Sequence, residues 1–150
     1  MTTRSRSERV SDAKLMLESE SDVWLATASG DGPHLVPLSL AWDDDAGEVV
    51  VCTEAESPTV RNICDGSRRV RLAVGSTMNV LMLDGEAKVT GAVEEEVATV
   101  ALFSARTGWD PMKTGGAWVF LRIRPERAQA WRNLDEIKGR TIMRKGQWLE

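Results

Sequence analysis

The residues best placed to do chemistry lie in the segment 52–75, which leaves an apolar strand and enters a short helix. Ser57 suits the helix N-cap, and Pro58 suits the first helical position, where a missing N–H costs nothing. The next backbone N–H groups, from Thr59 and Val60, then point out of the helix end, where the helix dipole favours an anion. This pattern predicts a corner that binds phosphate.

Two side chains are candidates to complete this corner. Thr59 offers a hydroxyl, and the planar guanidinium of Arg61 can bind a phosphate through two parallel hydrogen bonds. The alternative is a capped surface helix with a solvated Arg61, because many helices start with serine and proline and bind nothing. The local sequence leaves both interpretations open.

Charge is distributed unevenly along the chain, although the formal net charge of −4 argues against a general nucleic-acid binder. Residues 41–56 carry six acidic side chains and no basic one, whereas residues 57–75 carry four arginines and one aspartate. This basic island overlaps the predicted corner and favours a small anionic ligand. The alternative is a solvated charged face.

The sequence patterns around the corner predict a sheet with few helices. Helical patterns cover residues 11–18, starting at Ser11, and residues 94–107. Period-2 patterns and turn signals predict strands over 23–29, 34–42, 48–53, 69–75, 79–90, 117–124 and 128–131. We expect a bulge at Asp84-Gly85, an interruption at Pro125 and Glu126, and a last small hairpin over 144–148. These elements predict an α+β fold, mainly antiparallel, built around a β-barrel.

Composition favours one domain over residues 1–150, with residues 1–10 as a flexible N-terminus and 133–150 as a C-terminal extension that packs on the barrel. The polar N-terminus and the absence of a long apolar run predict a cytoplasmic protein that binds no membrane. Cys52 and Cys64 lie outside any CxxC or Cys/His cluster, so we expect no metal site and no dithiol centre.

The sequence shows no set of catalytic side chains. His34 is the only histidine, and no nucleophile elbow, Walker loop or dinucleotide fingerprint accompanies it. We therefore expect a cofactor to carry any difficult chemistry. Trp109, in a loop after Gly108, is a candidate either to lie over a flat ring or to anchor its loop. We expect four strand tryptophans to lie in the core or in an interface, namely Trp24, Trp42, Trp118 and Trp131.

The order of these motifs resembles the flavin- and deazaflavin-binding split β-barrels related to pyridoxamine 5′-phosphate oxidase, over residues 20–131. The motifs are LATASGDGPHLVPLSLAW, ESPTVRNICDGSRRVRLAVG and, as in actinobacterial proteins of this type, FSARTGWDP, LRIRPERAQAWRN and GRTIMRKGQWL. The resemblance implies a split β-barrel with two or three peripheral helices. It also implies a homodimer with two cofactors, FMN or the deazaflavin F420, in clefts along the subunit interface.

The resemblance further implies which residues approach the cofactor. The strand segment Val36, Pro37, Leu38 and Ser39 runs beside the ring, and backbone groups there bind the polar edge of the ring. Many relatives carry a lysine where this chain has Thr59, which leaves Arg61 to supply most of the positive charge. The ribityl-phosphate arm is approached by Thr53, Ser57, Pro58, Thr59, Arg61 and Asn62.

Three functions are consistent with these features. The first is an F420- or FMN-dependent oxidoreductase that transfers a hydride between the ring and a small organic substrate, without a catalytic side chain. The second is a non-catalytic protein of the same fold that stores or senses flavin, deazaflavin or haem. The third is a binder of another anionic metabolite. Oxidation of pyridoxamine phosphate itself is disfavoured, because the C-terminal arginines do not match the pattern which that substrate requires.

Overall fold

The computed structural model describes residues 2–150, which form three α-helices and eight strands. The helices are α1 (Arg6–Ser19), α2 (Pro58–Arg61, continued by a π-helix over Asn62–Gly66) and α3 (Val97–Thr107). The strands are β1 (Asp22–Ser29), β2 (Gly32–Asp43), β3 (Glu48–Glu54), β4 (Arg69–Ser76), β5 (Asn79–Ala92), β6 (Trp118–Trp131), β7 (Thr141–Arg144) and β8 (Gln147–Trp148). Within residues 2–150, no helix has the length and apolar character needed to cross a membrane.

Six strands close into an antiparallel barrel. They follow the order β3-β2-β1-β4-β5-β6, and β6 returns to pair with β3, from Val49 opposite Ile123 to Glu54 opposite Trp118. Further along β6, Ala128 lies opposite Met143 of β7, and β8 pairs with β7. The predicted α+β fold, mainly antiparallel and built on a barrel, is confirmed.

The valine-rich strand β3 is buried on both faces, as its continuous apolar run predicts. Val49 and Val51 point into the barrel core, whereas Val50 and Cys52 pack beneath α3 with Phe103. Burial raises the pKa of the Cys52 thiol to about 12. The thiol therefore stays protonated and acts as a packing group.

Strand β6 is continuous, although the sequence predicts an interruption at Pro125 and Glu126. The ladder between β5 and β6 shifts register beside Gly85, which lies opposite Pro125. Because Asp84 pairs with Arg127 and Gly85 pairs with Pro125, Glu126 has no partner on β5, and the bulge expected at Asp84-Gly85 lies on the opposite strand, β6. This bulge accommodates Pro125 without ending the strand. A Cβ atom on Gly85 would lie 2.2 Å from the carbonyl oxygen of Arg124, so only glycine fits here.

Helix α1 begins at Arg6 rather than at the predicted Ser11. The Ser5 hydroxyl accepts from the Glu8 N–H at 3.1 Å, and the Glu8 carboxylate accepts from the Ser5 N–H at 2.7 Å. This capping box is a sequence signal that the prediction overlooked. Residues 6–10, expected in a flexible terminus, are therefore helical. The start of α3 also differs, because residues 93–95 form a separate 3₁₀ turn before the helix begins at Val97.

The buried carboxylate of Glu136 fixes the start of α1 to the segment that leads to β7. It accepts from Arg4 Nη2 at 2.7 Å and from the Arg132 N–H at 2.8 Å. The hydrogen bond from the Arg4 side chain is the main cause that lowers the pKa of Glu136 to about 2. Arg9 reinforces the connection, because its Nη1 donates to the Glu136 carbonyl oxygen at 2.9 Å.

Candidate functional site

Strand β2 has an open backbone edge around Pro37. Residues 32–39 pair with β1 on one side, whereas pairing with β3 on the other side starts only at Leu40. The Leu40 N–H donates to the Ser21 carbonyl oxygen at 2.8 Å, so alternation in the ladder turns the backbone groups of Pro37 and Ser39 away from β1. Pro37 therefore removes no ladder bond, which is the usual situation of a proline inside a strand.

A groove of about 500 Å³ lies over the outer face of this segment; we call it the β2 groove, and Pro37, Leu38 and Ser39 contribute to its wall. Val36 and Leu38 pack against the barrel core. Pro37 lies directly opposite Trp24, whose side chain is 49% exposed and also lines the groove. The sequence assigned Trp24 to the core or an interface. The alternation of β1, which turns Trp24 to the outer face of the barrel, was the signal that this side chain lines a groove.

The corner, defined as residues 57–62, begins as the sequence predicts. Ser57 is the N-cap of α2, Pro58 takes the first position, and the Ser57 hydroxyl accepts from the Val60 N–H at 3.3 Å. Among residues 2–150, the Thr59 N–H has no hydrogen-bond acceptor. The sequence predicts two free N–H groups here, but the cap itself uses that of Val60, so one remains.

The two side chains predicted to complete the corner differ in exposure. Residue Thr59 as a whole is 2% exposed, so its hydroxyl and its backbone N–H are both buried, whereas Arg61 is exposed. One guanidinium nitrogen of Arg61 donates to the Glu56 carbonyl oxygen. Since a guanidinium has five N–H donors, this bond holds the side chain beside the corner and leaves others to bind an anion.

The polar residues at the end of the barrel hold the corner in place. The Asn62 side chain donates to the Thr27 hydroxyl at 3.0 Å, and the Thr27 side chain is buried. Thr53 shares the inward alternation of Val49 and Val51 and is 8% exposed. The Asn62–Thr27 hydrogen bond therefore connects the end of α2 to β1, and Thr53 lies on the inward face at the end of β3.

A family model described as pyridoxamine 5′-phosphate oxidase matches residues 12–132. The chain belongs to the pyridoxamine 5′-phosphate oxidase family. The match spans the whole barrel, the β2 groove and the corner, and it confirms the family resemblance seen in the sequence. No curated protein sequence matches the chain.

Solved structures share the fold of this pyridoxamine 5′-phosphate oxidase family member at low sequence identity. A heme binding protein from Mycobacterium smegmatis has a TM-score of 0.70 and 18% identity, over 97% of this chain and 60% of that one. A FAD-binding protein from Mesorhizobium loti has a TM-score of 0.63 and 19% identity, over 86% and 95% of the two chains. An F420 reductase has a TM-score of 0.60 and 21% identity, over 77% and 94%.

In this family member, Trp109 lies in an aromatic cluster on the α3 side of the barrel. Its ring meets Phe103 and Trp118 edge to face, with centroids 5.6 and 5.1 Å apart, and its Nε1 donates to the Thr114 hydroxyl at 2.6 Å. Trp118 lies opposite Glu54, at the end of β3 that leads into the corner. These contacts anchor the loop after α3, and a role for Trp109 over a ring stays a prediction.

The basic island predicted from the sequence is divided in the structure. Arg61 alone lies in the corner, whereas Arg69 and Arg71 lie on β4 and line a separate cavity. The island and the corner coincide in sequence but diverge in space, because the π-helix after α2 intervenes before β4 begins. The arginines of the island therefore do not converge on the corner, and binding of a small anionic ligand there stays a prediction.

Proposed function

We propose that this family member is an F420- or FMN-dependent oxidoreductase that transfers a hydride between the cofactor ring and a small organic substrate. The observation that carries the proposal is the open edge of β2 at Pro37 and Ser39 beside the β2 groove. A flavin or deazaflavin ring has one polar edge and two flat faces. Unpaired backbone groups suit the edge, and the exposed indole of Trp24 suits a face.

The corner suits the phosphate of such a cofactor. The free donors of Arg61 can bind an anion at the start of α2, where the Thr59 N–H has no acceptor but lies buried. With the Thr59 side chain turned inward, Arg61 is the main source of positive charge at this position. The bound cofactor would supply the hydride chemistry, and these residues would fix its position.

The protein contributes binding and orientation rather than acid–base chemistry. Cys52 is buried and protonated beneath α3. His34 is half-buried at the start of β2, opposite the buried Thr27. In this proposal, the substrate enters the β2 groove and lies against the ring.

We extend the proposal to a homodimer in which a second copy covers the outer face of β1 and β2. Trp24 and Leu35 project from this face and are 49% and 60% exposed. Neighbouring large apolar side chains of this kind are typical of a protein interface. Closure of the face would complete the β2 groove.

We also propose a cytoplasmic location, because the two cysteines, Cys52 and Cys64, are free thiols, as is usual in a reducing compartment.

A second candidate is a non-catalytic binding protein for flavin, deazaflavin or haem. The shared fold with the Mycobacterium smegmatis heme binding protein favours it. Binding at a defined stoichiometry, without turnover of any acceptor, would support this candidate over the oxidoreductase.

The test is a titration with FMN and with F420, followed by quenching of tryptophan fluorescence. We expect one of them to bind, and Arg61→Ala to weaken that binding about tenfold or more, since a hydrogen bond to a charged group is lost. Lys113→Ala is the matched control, because Lys113 is exposed outside the corner and the β2 groove. Equal binding by the Arg61→Ala variant and the parent would refute the corner assignment. Sedimentation velocity of the same samples measures the dimer.

A further inference from the structure

A separate, open depression of about 1010 Å³ lies over the end of β1, the starts of β2 and β4, the middle of β5 and β6, and the hairpin that joins β7 to β8; we call it the cationic cavity. None of the residues predicted to bind the cofactor lines it. Its apolar wall comes from Ala26, Ala28, Pro33 and Val70. Its charged lining consists of Arg69, Arg71, Arg127, Arg144, Lys145, Asp84 and Glu126.

The two acidic side chains of the cationic cavity are already paired. Asp84 accepts from Arg71 Nε at 2.6 Å and lies 3.7 Å from Arg127 Nη1, while Glu126 pairs with Arg69. In the part of the chain that the structure describes, neither Arg144 nor Lys145 has a carboxylate partner. Five cations against two acids leave three positive charges in one cavity of a chain whose net charge is −4.

The backbone at the rim places Lys145 in an unfavourable conformation. Lys145 has φ 51° and is followed by Gly146 with φ 76°, in the two-residue turn between β7 and β8. Asparagine, aspartate or glycine is the usual choice for such a position, and Lys145 is the only non-glycine residue with positive φ among residues 2–150. A lysine here therefore indicates a use for its charge at the rim.

We propose that the cationic cavity binds a small organic polyanion, with two or more carboxylate or phosphate groups on an apolar body. Three unbalanced positive charges select an anion, and the arginines offer planar donors that match carboxylate and phosphate. The alanine and proline wall accommodates the apolar part of the ligand. The site shares no lining residue with the corner or the β2 groove. Its wall at Ala26, Ala28 and Pro33 lies on the outer face of β1 and β2, which a second copy would cover in the proposed homodimer.

The chemistry of the lining argues against two other ligands. A metal ion is disfavoured because both carboxylates are paired with arginine, and no group of three possible metal ligands converges within residues 2–150. A nucleic acid is disfavoured because the charge is confined to one cavity of an acidic chain instead of following an extended surface.

The test is isothermal titration of the full chain with citrate as the polycarboxylate, pyrophosphate as the polyphosphate and acetate as the control with a single charge. The variant is Arg144→Gln with Lys145→Asn, since asparagine tolerates the left-handed turn. The matched control is Lys113→Ala with Lys138→Ala, which removes the same charge from exposed positions outside the cationic cavity. Thermal unfolding of each variant verifies the fold.

We expect citrate or pyrophosphate to bind the parent and the control with equal affinity. The same probe should bind the Arg144→Gln/Lys145→Asn variant about tenfold or more weakly. The stronger of the two probes identifies carboxylate or phosphate as the preferred group. FMN and F420 titrations of this variant should match the parent, which separates this proposal from the cofactor proposal. Absence of binding by both probes, equal weakening in the control, or tighter binding of a short DNA duplex through the same two residues would each overturn it.

Discussion

The corner and the cationic cavity are both suited to anions, but they are built in opposite ways. The corner comes from one continuous segment, 57–62, and offers one free N–H and the single cation Arg61. The cationic cavity collects cations from β4, β6 and the last hairpin, which are far apart in sequence. A local motif therefore supplies one unbonded backbone N–H and little charge, whereas the barrel topology concentrates charge that no local motif shows.

The largest effect is expected for Gly85→Ala, a substitution opposite the bulge beside the cationic cavity, which should lower the stability of the fold. The added Cβ would meet the Arg124 carbonyl oxygen at 2.2 Å, and neither backbone can move without shifting the register of Asp84 and Arg127. We expect a loss of about 3 kcal/mol or more in the free energy of unfolding, measured by urea denaturation. Gly30→Ala is the control, because nothing lies within 4 Å of its Cβ position. Equal stability of the two variants would contradict the assigned role of the bulge.

A smaller loss is expected for Glu136→Gln, which weakens the connection between α1 and the segment before β7. The amide keeps some hydrogen bonds but loses the charge that pairs with Arg4, so we expect about 2 kcal/mol at pH 7. The folded pKa of about 2 lies below the ordinary value of 4.5. The carboxylate thus stabilises the fold fully above about pH 4.5, and this contribution is lost as the pH falls towards 2. Denaturation at several pH values should show this dependence in the parent and a weaker one in the variant.

Ser57→Ala tests the corner by itself. The substitution removes the hydroxyl that accepts from the Val60 N–H, so we expect a loss of about 1 kcal/mol in the free energy of unfolding. Ser57→Thr keeps a capping oxygen and should recover most of that stability. Citrate binding in the cationic cavity should be unchanged in both variants, and a parallel loss of citrate binding would show that the two regions are coupled.

The smallest effect is expected for Asp84→Asn, which tests whether excess positive charge in the cationic cavity determines its affinity for anions. Releasing Arg71 and Arg127 from this carboxylate raises the excess positive charge, so citrate should bind about threefold more tightly. Unfolding free energy should change by about 0.5 kcal/mol or less, because Arg71 is half-exposed. Asp31→Asn, at an exposed turn, is the matched control for net charge. Weaker citrate binding by Asp84→Asn would contradict the proposed electrostatics.

The sequence predicted the barrel well because its strands carry strong period-2 patterns and glycine turns. The Ser57-Pro58 start of α2 followed from local capping rules, which need no tertiary information. The continuity of β6 was harder to predict, since Pro125 indicates a break unless the register shift against β5 at Glu126 is known. Pairing across a sheet is a tertiary property that a linear pattern does not contain.

The limits of sequence interpretation were greatest for charge. Arg61, Arg69 and Arg71 are neighbours in the chain, yet only Arg61 lies in the corner. The sequence places Arg144 and Lys145 in a hairpin near the C-terminus. Pairing of β7 with β6 brings them to the same cavity as Arg71. Distant residues meet because the barrel closes, so the cationic cavity could be recognised only in three dimensions.

The central claim is that the corner binds the cofactor phosphate and the cationic cavity binds a different anion. It is tested most directly by comparing the affinity of the bound cofactor, FMN or F420, between the Arg61→Ala and the Arg144→Gln/Lys145→Asn variants. We predict that Arg61→Ala weakens cofactor binding about tenfold or more, whereas the double variant binds the cofactor like the parent. Loss of cofactor affinity in the double variant, with parent-like affinity in Arg61→Ala, would contradict the account.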